Sequence, residues 1–484
     1  MMRNKIYFVM IVIAAGALIA VHLKAVAERP FRIRTDREGI GDEGTVHYPP
    51  KAPKRIILIA VDTLRADHLS RYGYDRRTTP SLDHLMKTEG IVFENAYSPS
   101  SWTLPSSVSL FTSLHPHLHE VEDREQTLHP KVPTLAAAFS KIAKWHTAAF
   151  VTHIYVSSLF GLDSGFDEFF ELSIDWGFDE GKQLRAEALN RTVLPWLKHH
   201  RSKPFFLYLH YFDPHWNYEP PGPYDKRFTN PEYDGDADGT WSFISKFLDT
   251  STHMSAEDLR HVIGLYDGEI AYTDHYLGRL FKYLKKLDMW DDTLLVILSD
   301  HGEEFKDHGS MHHIRTLYNE VTHVPLIVKL PGGRPSGWSA RIGARVSTID
   351  VAPTLLDLTR TPIPPSFQGK SLTPLFKVGG ADRDIFMRTK RHRSDTMALI
   401  MDDKKLILPF GQNTNPVEYY DLAVDPEEKN SLTRAYPDEV AFFKEQIEKR
   451  SEKSAIELGL PGRGRDAKLT EDQKTLLKNL GYME

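Results

Sequence analysis

The amino-acid sequence predicts an α/β protein with a mostly parallel central sheet flanked by helices, followed by a small C-terminal antiparallel α+β subdomain. Two observations support this fold class. Short apolar runs alternate with helical patterns from residue 54 onward, and the pattern changes to shorter segments after residue 376. Alternation of strands and helices is typical of a sheet that helices cover on both faces. The 484 residues suffice for one large domain and a smaller one.

The predicted strands of the central sheet are continuous apolar runs rich in leucine and β-branched residues, as in strands buried on both faces. They cover residues 56–61, 147–151, 205–211, 294–298 and 324–330. Helices are predicted at 134–142 and 266–287, the second with apolar residues at amphipathic spacing. We expect Asp267, Glu269 and Asp274 to form the solvated face of that second helix.

The C-terminal subdomain is predicted from short segments that turn residues interrupt. Its strands are expected at 396–401, 405–408 and 417–420, with a helix near 438–451. These patterns divide the chain into four parts: an N-terminal segment 1–27, a linker 28–53, a catalytic domain 54–375, and the C-terminal subdomain and tail 376–484.

The N-terminus has the features of an export signal. Arg3 and Lys5 precede an apolar stretch at 6–21, and residues 25–27 read Ala-Val-Ala, which fits a cleavage site. The stretch is long for a signal peptide and slightly short for a membrane span. Cleavage and retention as a membrane anchor therefore both stay open. In either case we expect the folded part to be exported, in a periplasmic or other extracytoplasmic location.

Composition excludes several classes of function. The net charge of −6, with acids and bases mixed along the chain, argues against a nucleic-acid partner, because such proteins usually carry a basic surface. The chain contains no cysteine, which excludes disulfides, thiolate metal sites and cysteine nucleophiles.

Polar residues follow four of the predicted strands at their carboxyl ends. Asp62 ends the first run, His153 follows the second, the tripeptide 213–215 follows the third, and Asp300 with His301 follows the fourth. Because the carboxyl ends of parallel strands meet at the ligand crevice of an α/β sheet, we expect these side chains to converge. Two unpaired buried carboxylates are costly, whereas a divalent cation would neutralise both. The sequence therefore predicts a metalloenzyme.

Thr103 is predicted to lie at or just before a helix N-terminus. Pro105 would stand in the first helical turn, where proline is tolerated, and an apolar-periodic segment continues at 108–114. On capping preferences alone, Thr103 would be a simple N-cap. The polar strand ends favour a catalytic role for it instead.

Six motifs in one order along the chain make the sequence resemble the sulfatase branch of the alkaline phosphatase superfamily. They are residues 61–68, Thr103 with Pro105 and Ser106, 213–215, 299–304, 350–355, and 418–422 with 425–430. The resemblance covers nearly all of the chain from Arg55 to Leu432. It implies an alkaline-phosphatase-like fold and an enzyme that acts on an anionic phosphate or sulfate ester.

Position by position, the resemblance implies one divalent cation and a hydroxyl nucleophile. The metal ligands would be Asp62, Thr103, Asp300 and His301, and Thr103 would also be the nucleophile. Three oxygens and one imidazole form a hard site that suits Ca, Mg or Mn, and Zn is also compatible with it.

The resemblance further implies three histidines that face the substrate, namely His153, His215 and His313. His215 and His313 would take part in catalysis, with His313 near the leaving group. His308 and His312 are close enough to His313 in sequence that an exchange of roles among the three stays open.

Two departures from true sulfatases affect the expected substrate. Those enzymes carry a cysteine or serine at the Thr103 position, which is oxidised to formylglycine, and an arginine at the Ser107 position. Threonine cannot form that aldehyde, and loss of a bidentate guanidinium weakens a sulfate site. We therefore expect hydrolysis or transfer of phosphate esters through a phosphothreonine. The alternatives are a sulfatase with an unmodified hydroxyl nucleophile and a non-catalytic protein that binds envelope polymers.

An acidic segment and a histidine-rich segment are expected to be structural rather than functional. The acidic stretch 234–239 resembles the start of a calcium loop, but Ser245 stands where that loop needs a glutamate, so we expect a solvated loop. His115, His117 and His119 are expected in an exposed loop, although His119 lies where the family usually has a histidine near the site.

Overall fold

The computed structural model of the protein describes residues 48–172, 184–248, 250–378, 380, 382–390 and 395–479. The N-terminal segment 1–27 lies outside the described residues, as does most of the linker 28–53. Within the described part of the chain, no helix is both long and apolar enough to cross a membrane. Export and membrane attachment stay predictions.

Ten strands precede the C-terminal subdomain in the described chain. They are β1 (Arg55–Val61), β2 (Gly90–Tyr97), β3 (His146–Val151), β4 (Glu168–Glu171), β5 (Phe205–Tyr211), β6 (Thr293–Leu298), β7 (Glu304–Phe305), β8 (Met311–His312), β9 (His323–Lys329) and β10 (Arg341–Ser347). β7 and β8 pair with each other, and the other eight form the central sheet in the order β10-β2-β9-β6-β1-β5-β3-β4. Only β9 runs antiparallel to its neighbours in that sheet. The predicted mostly parallel sheet is confirmed.

Seven helices of eight or more residues occur in the described ranges. They are α1 (Pro80–Thr88), α2 (Thr103–Thr112), α3 (Ala186–His200), α4 (Ala256–Lys286), α5 (Val351–Leu358), α6 (Pro437–Ser451) and α7 (Glu471–Asn479). Shorter helical segments are Ala66–His68, Ser70–Tyr72, Pro116–His119, Leu135–Ala137, Ala138–Ala143, Ile154–Val156, Ser158–Phe160, Tyr224–Lys226, Trp241–Ile244, Ser245–Phe247, Trp290–Asp292, Asn319–Thr322, Thr348–Asp350, Leu375–Val378 and Ile456–Leu458.

Side chains of β1 alternate between two apolar cores, one on each face of the sheet. Ile56 and Leu58 join the core that includes residues of α2 and α5. Ile57 and Ile59 join the core that includes residues of α1, α3 and α4. Because helices cover both faces, the strand needs apolar side chains at successive positions, which explains its continuous apolar run.

All five predicted strands of the sheet are present, whereas β2, β4 and β10 were missed. In β2, the polar residues Glu94 and Asn95 interrupt the apolar run where the register against β9 shifts between Phe93 and Ala96. β10 lies at the sheet edge and begins with the exposed Arg341. Edge position and a bulge therefore hide these strands from a search for continuous apolar runs.

The C-terminal subdomain is a four-stranded antiparallel sheet. Its strands, in spatial order, are β11 (Ile385–Thr389), β12 (Thr396–Met401), β13 (Lys404–Pro409) and β14 (Glu418–Asp421). Helix α6 packs on one face through Val440, Phe443 and Ile447. The predicted antiparallel subdomain is confirmed, with β11 as an additional strand. The exact domain boundary at 375 stays a prediction.

The acids assigned to the solvated face of the helix at 266–287 are in fact buried, so that prediction is wrong. Asp267 and Glu269 are 0% exposed, and Asp274 is 1% exposed. Each has polar partners on a neighbouring element: for example, Arg185 lies 3.5 Å from Glu269. Other elements pack around the middle of α4, so its polar residues make internal contacts rather than a solvated stripe.

The histidine-rich segment is not an exposed loop, which corrects another prediction. His119 ends the short helix Pro116–His119 and is 1% exposed. Its Nδ1 accepts from the Val121 N–H at 3.0 Å, and its Nε2 lies 3.0 Å from the Ser109 hydroxyl of α2. Burial lowers the pKa of His119 to about 3. His119 is therefore a neutral structural residue that supports α2.

Candidate active site

The register of the central sheet brings the polar strand ends to one edge. Ala60 of β1 lies opposite His210 of β5 and opposite Leu298 of β6. Two residues further along their strands, Asp62 and Asp300 therefore leave the sheet side by side. This is the edge at which parallel α/β sheets bind their ligands.

Asp62, Thr103, Asp300 and His301 form one buried cluster. The Nε2 of His301 lies 3.5 Å from Asp62 Oδ1, 3.6 Å from Asp300 Oδ2 and 3.2 Å from Thr103 Oγ1. All four residues are at most 3% exposed. The acids and His301 also offer ligand atoms that lie within 4.8 Å of one another. The four residues predicted as metal ligands thus come together.

The hydrogen bonding of the two acids fits a bound cation. Both carboxylate oxygens of Asp62, and Oδ2 of Asp300, are buried without a hydrogen-bond partner among the described residues. Burial raises the pKa of Asp62 well above its usual range, and the nearby Asp300 and Glu303 raise it further. Buried charges without partners are costly, and a divalent cation offsets that cost. When bound, the cation would supply Lewis-acid stabilisation of negative charge on the ester group.

His301 is oriented by its neighbours so that one ring nitrogen faces the cluster. Its Nδ1 donates to the Gly302 C=O at 2.9 Å, which leaves the lone pair on Nε2. A side chain at Gly302 would clash with the backbone oxygen of Glu320. The Ser299 hydroxyl donates to the His301 C=O at 2.6 Å and accepts from the Leu64 N–H at 2.9 Å, which ties the ends of β1 and β6 together.

Thr103 is the first residue of α2, and its side chain does not cap that helix. The N-cap position belongs to Trp102, while the Thr103 hydroxyl contacts His301. The helix N-terminus stabilises an adjacent negative charge by about 0.3–1 kcal/mol. A metal Lewis acid supplies several kcal/mol and is the larger effect. The geometry therefore favours a role in the metal cluster over simple capping.

The backbone turns sharply directly after Asp62. Thr63 has a φ of 52°, a left-handed conformation that costs a β-branched residue about 1–3 kcal/mol. The Tyr266 hydroxyl donates to the Thr63 C=O at 2.7 Å and accepts from the Arg65 N–H at 3.0 Å. These contacts hold the turn in place and so fix the direction of the Asp62 side chain.

The three histidines predicted to face the substrate surround the cluster. Ring centroids are 5.4 Å apart for His153 and His215, 5.2 Å for His215 and His313, and 4.4 Å for His313 and His301. Burial lowers the pKa of His215 to about 3 and that of His153 well below its usual range. Both rings are therefore neutral at ordinary pH and suited to hydrogen bonding rather than to ion pairing.

The structure separates His308 from the neighbouring pair His312 and His313. The Nδ1 of His313 lies 3.0 Å from Glu303 Oε1, and the His312 ring packs beside it at 3.8 Å between centroids. His308 instead points toward the C-terminal part of the chain, where its Nε2 donates to the Glu428 C=O at 3.0 Å. An exchange of roles between His313 and His308 is therefore not supported.

Sequence reasoning missed two residues of the site, His210 and Glu303. His210 lies on β5 with its Nε2 3.8 Å from Asp62 Oδ2, and burial lowers its pKa to about 4. A histidine inside an otherwise apolar strand was the available signal. Glu303 contacts His313 and accepts a hydrogen bond from the Tyr218 hydroxyl at 2.8 Å. Only the folded chain reveals these contacts.

Ser107, which stands where the resemblance places an arginine, is buried on α2. It is 0% exposed and adjoins Tyr208 of β5. Burial raises the pKa of the Tyr208 hydroxyl, and the nearby Asp300 and Asp62 raise it further. Two neutral hydroxyl groups therefore occupy the side of the cluster where a guanidinium was expected.

Fold and site together define a metal-dependent ester hydrolase with an alkaline-phosphatase-like fold. Two solved structures share that fold. BT4656, in complex with its substrate D-glucosamine-2-N,6-O-disulfate, has a TM-score of 0.68 at 21% identity and covers 83% of this chain and 98% of its own. The phosphonate monoester hydrolase of Agrobacterium radiobacter has a TM-score of 0.68 at 21% identity and covers 82% of this chain and 96% of its own.

The chain belongs to the sulfatase family, as its motifs predicted. The Sulfatase family model matches residues 54–361, and the model for the N-sulphoglucosamine sulphohydrolase C-terminal region matches residues 307–454. An arylsulfatase of Clostridium perfringens is 25% identical over 456 residues, covering 82% of this chain and 94% of the relative.

Two further relatives extend the range of named activities. Arylsulfatase K of Gallus gallus is 26% identical over 455 residues, which cover 81% of this chain and 82% of the relative. The multifunctional alkaline phosphatase superfamily protein PehA of Trinickia caryophylli is 25% identical over 477 residues, which cover 78% of this chain and 91% of the relative. The relatives agree with an ester hydrolase.

Proposed function

We propose that this protein is a metal-dependent sulfuric ester hydrolase whose nucleophile is the unmodified hydroxyl of Thr103. The observation that carries the proposal is the 3.2 Å contact between that hydroxyl and His301 Nε2, beside an Asp62 carboxylate without hydrogen bonds. Relatives named arylsulfatases, and the disulfated substrate of BT4656, support sulfate as the group transferred. The expectation drawn from Thr103 and Ser107 was that phosphate esters are the main substrates. The relatives support sulfate esters instead.

The proposed metal ligands are Asp62, Thr103, Asp300 and His301. Their three oxygens and one imidazole suit Ca, Mg or Mn, and Zn is also compatible. The buried, unsatisfied oxygens of the two acids support this assignment, because only a cation in the cluster would offset their charge.

The proposed reaction has two steps. The Thr103 oxygen bonds to sulfur while the bond from sulfur to the ester oxygen breaks, and the proton of Thr103 ends on the departing alcohol. Water then attacks the sulfur of the sulfothreonine, which releases hydrogen sulfate and restores the hydroxyl. His313 would carry the proton to the leaving oxygen, held by Glu303 at 3.0 Å. The neutral ring of His153 accepts from the Tyr155 N–H at Nδ1 and would donate from Nε2 to the anion. The neutral ring of His215 donates from Nδ1 to the Trp216 C=O, so its Nε2 would act as an acceptor toward the substrate.

Hydrolysis of phosphate or phosphonate esters is the second candidate. A phosphothreonine could be resolved by water attack at phosphorus, catalysed by the site and without an aldehyde, and the neutral pair Ser107 and Tyr208 replaces the sulfatase arginine. PehA is named as a multifunctional protein of the alkaline phosphatase superfamily, and a phosphonate monoester hydrolase shares the fold, which also supports this candidate. The intact four-residue cluster argues against the third possibility, a purely binding role for envelope polymers.

The test compares aryl esters on the purified full-length chain. Turnover of 4-nitrophenyl sulfate, 4-nitrophenyl phosphate and 4-nitrophenyl phenylphosphonate would be measured with Mg, Ca, Mn or Zn added separately. We expect the highest kcat/KM for sulfate. A higher value for either phosphorus ester would replace the proposal by the second candidate, and no turnover of any ester with any metal would favour the binding role.

A matched pair of variants tests the nucleophile. Thr103→Val keeps the shape of the side chain but removes the hydroxyl, and we expect kcat/KM to fall by about a thousandfold or more. Thr103→Ser retains a hydroxyl and should keep activity within about tenfold of the original. Equal activity in the two variants would show that Thr103 is not the nucleophile.

A further inference from the structure

A second cluster of metal-ligand side chains lies at the opposite edge of the central sheet. His146 is the first residue of β3, Glu168 is the first residue of β4, and His200 is the last residue of α3. The catalytic cluster follows the carboxyl ends of the strands, whereas these residues lie at their amino ends. The second cluster is therefore separate from the candidate active site.

The three side chains are arranged around one point. Each offers one ligand atom, and these atoms all lie within 4.8 Å of one another. His146 Nε2 and Glu168 Oε1 are 3.2 Å apart. Ligands of one tetrahedral zinc ion stand about 3.4 Å apart, given metal bonds of about 2.0–2.2 Å. This pair already has that spacing, and the ligand atom of His200 lies within 4.8 Å of both, so its side chain would have to move closer to bind the same ion.

Neighbouring groups orient each of the three ligands. The Nδ1 of His200 donates to the Trp196 C=O at 3.0 Å, which leaves the lone pair on Nε2. Glu168 Oε2 accepts from the Trp196 indole N–H at 2.6 Å, which leaves Oε1 for another partner. The Nδ1 of His146 lies 3.5 Å from the Asp167 carboxylate. Metal-binding histidines commonly have such a partner on the nitrogen that does not bind the metal.

An ordinary ion pair explains the cluster less well. His146 Nε2 has no hydrogen-bond partner among the described residues, although Glu168 Oε1 lies only 3.2 Å away. The contact therefore lacks the alignment of a hydrogen bond. The rings of His146 and His200 are close neighbours, with centroids 5.0 Å and planes 10° apart.

We propose that His146, Glu168 and His200 bind a zinc ion, with water in the fourth position. Two imidazoles and one carboxylate form a set that zinc accepts, and the intermediate exposure of all three residues leaves space for the water. The ion would join the edge strand β4 to β3 and to the end of α3. It would stabilise the sheet edge and would take no part in ester hydrolysis.

The chain offers a matched control for the test, because His199 stands beside His200 and is exposed. The full-length protein would be stripped with a chelator and dialysed against Zn²⁺, and bound zinc per chain would be counted by mass spectrometry of the metal. Four proteins would be compared: the original chain, His200→Gln, His146→Gln and His199→Gln.

We expect His200→Gln and His146→Gln each to bind one zinc ion fewer than the original chain, and His199→Gln to bind the same number. Ester turnover should be unchanged in all three variants. Zinc should raise the Tm of the original chain and of His199→Gln by a few degrees more than that of the other two, because a ligand of the native state stabilises it. As a second readout, Co²⁺ bound at this site should add d–d absorption bands that His200→Gln lacks.

Equal zinc counts in the original chain and in His200→Gln would overturn the proposal. The cluster would then be an ion pair between His146 and Glu168 with the His200 ring stacked beside it. The Co²⁺ spectrum of the original chain keeps the proposal falsifiable if either variant fails to fold. If two cobalt ions bind, the spectrum of the original chain must contain the d–d bands of a tetrahedral ion in addition to the bands of the cobalt ion in the active site. A spectrum that fits one bound cobalt ion would also overturn the proposal.

Discussion

Asp62 in the candidate active site and Asp274 in the middle of α4 are both buried acids, yet their surroundings differ. Asp274 accepts hydrogen bonds from the backbone N–H groups of Ser81 and Leu82, each at 2.8 Å, at the start of α1. Both oxygens of Asp62 lack a hydrogen bond from any described residue. Burial of an acid therefore does not by itself indicate function. Buried oxygens without partners are the informative observation.

Asp267, about two turns before Asp274 on the same side of α4, belongs with Asp274. Its carboxylate contacts His68 Nδ1 at 2.7 Å, the Tyr74 hydroxyl at 2.7 Å and the Arg76 guanidinium at 2.9 Å. These partners come from the segment between β1 and α1. Asp267 thus links α4 to that segment through protein groups alone, whereas the Asp62 oxygens have no such hydrogen-bond partners among the described residues.

The largest expected effect is on activity, and it should distinguish Asp62 in the candidate active site from Asp267 in α4. Asp62→Asn should lower kcat/KM by about a thousandfold, because it weakens binding of a cation that contributes several kcal/mol to the reaction. Asp267→Asn should leave kcat/KM of the folded protein within about threefold of the original, since it lies outside the crevice. Kinetics with the preferred aryl ester, at the lowest metal concentration that fully activates the original chain, would measure both. Comparable losses in the two variants would remove the distinction.

Chelation should sharpen the same comparison. Removal of divalent metal should abolish turnover in the original chain, and addition of the native ion should restore it. That ion should also raise the Tm of the original chain, because it binds the folded state. Asp62→Asn should show a much smaller rise with the same ion, measured by thermal unfolding. Full activity in the presence of excess chelator would contradict a metal-dependent reaction.

Asp62→Asn should have the larger effect on activity, and Asp267→Asn should have the larger effect on stability. Asp267→Asn should lower the free energy of unfolding by about 1–3 kcal/mol, because it weakens the hydrogen bonds of a buried carboxylate to His68, Tyr74 and Arg76. Asp62→Asn should leave metal-free stability unchanged or higher, since it removes a buried charge beside Asp300. Urea unfolding of the chelated proteins would test this. A larger loss for Asp62→Asn would show that its carboxylate is structural.

The smallest expected effect concerns pH and Asp274. Burial raises the pKa of Asp274 to about 7. The folded protein therefore binds this proton more tightly than the unfolded chain does, and this contribution to stability is lost as pH rises from about 4 to about 7. Asp274→Asn should show a shallower loss of stability over that window, by a few kcal/mol at most. Urea unfolding at pH 5 and pH 7 would compare the slopes, and equal slopes would contradict the raised pKa.

Prediction from sequence succeeded where a local pattern carried the information. The apolar runs before Asp62 and Asp300 identified buried parallel strands, and the position of Pro105 identified the helix that begins at Thr103. It failed where the deciding contacts join distant segments. The acids of α4 looked solvated because amphipathic spacing cannot show that α1 and the segment around His68 cover them.

By itself, the sequence determined the family, the parallel sheet and the convergence of two acids and one histidine at the strand ends, and the family resemblance added Thr103. These follow from runs and motifs that neighbouring residues define. Tertiary structure alone decided that His313 rather than His308 faces the cluster, that His210 and Glu303 join it, and that His146, Glu168 and His200 meet at the far edge. The reason is physical: each of those contacts depends on the register and packing of elements far apart in the chain.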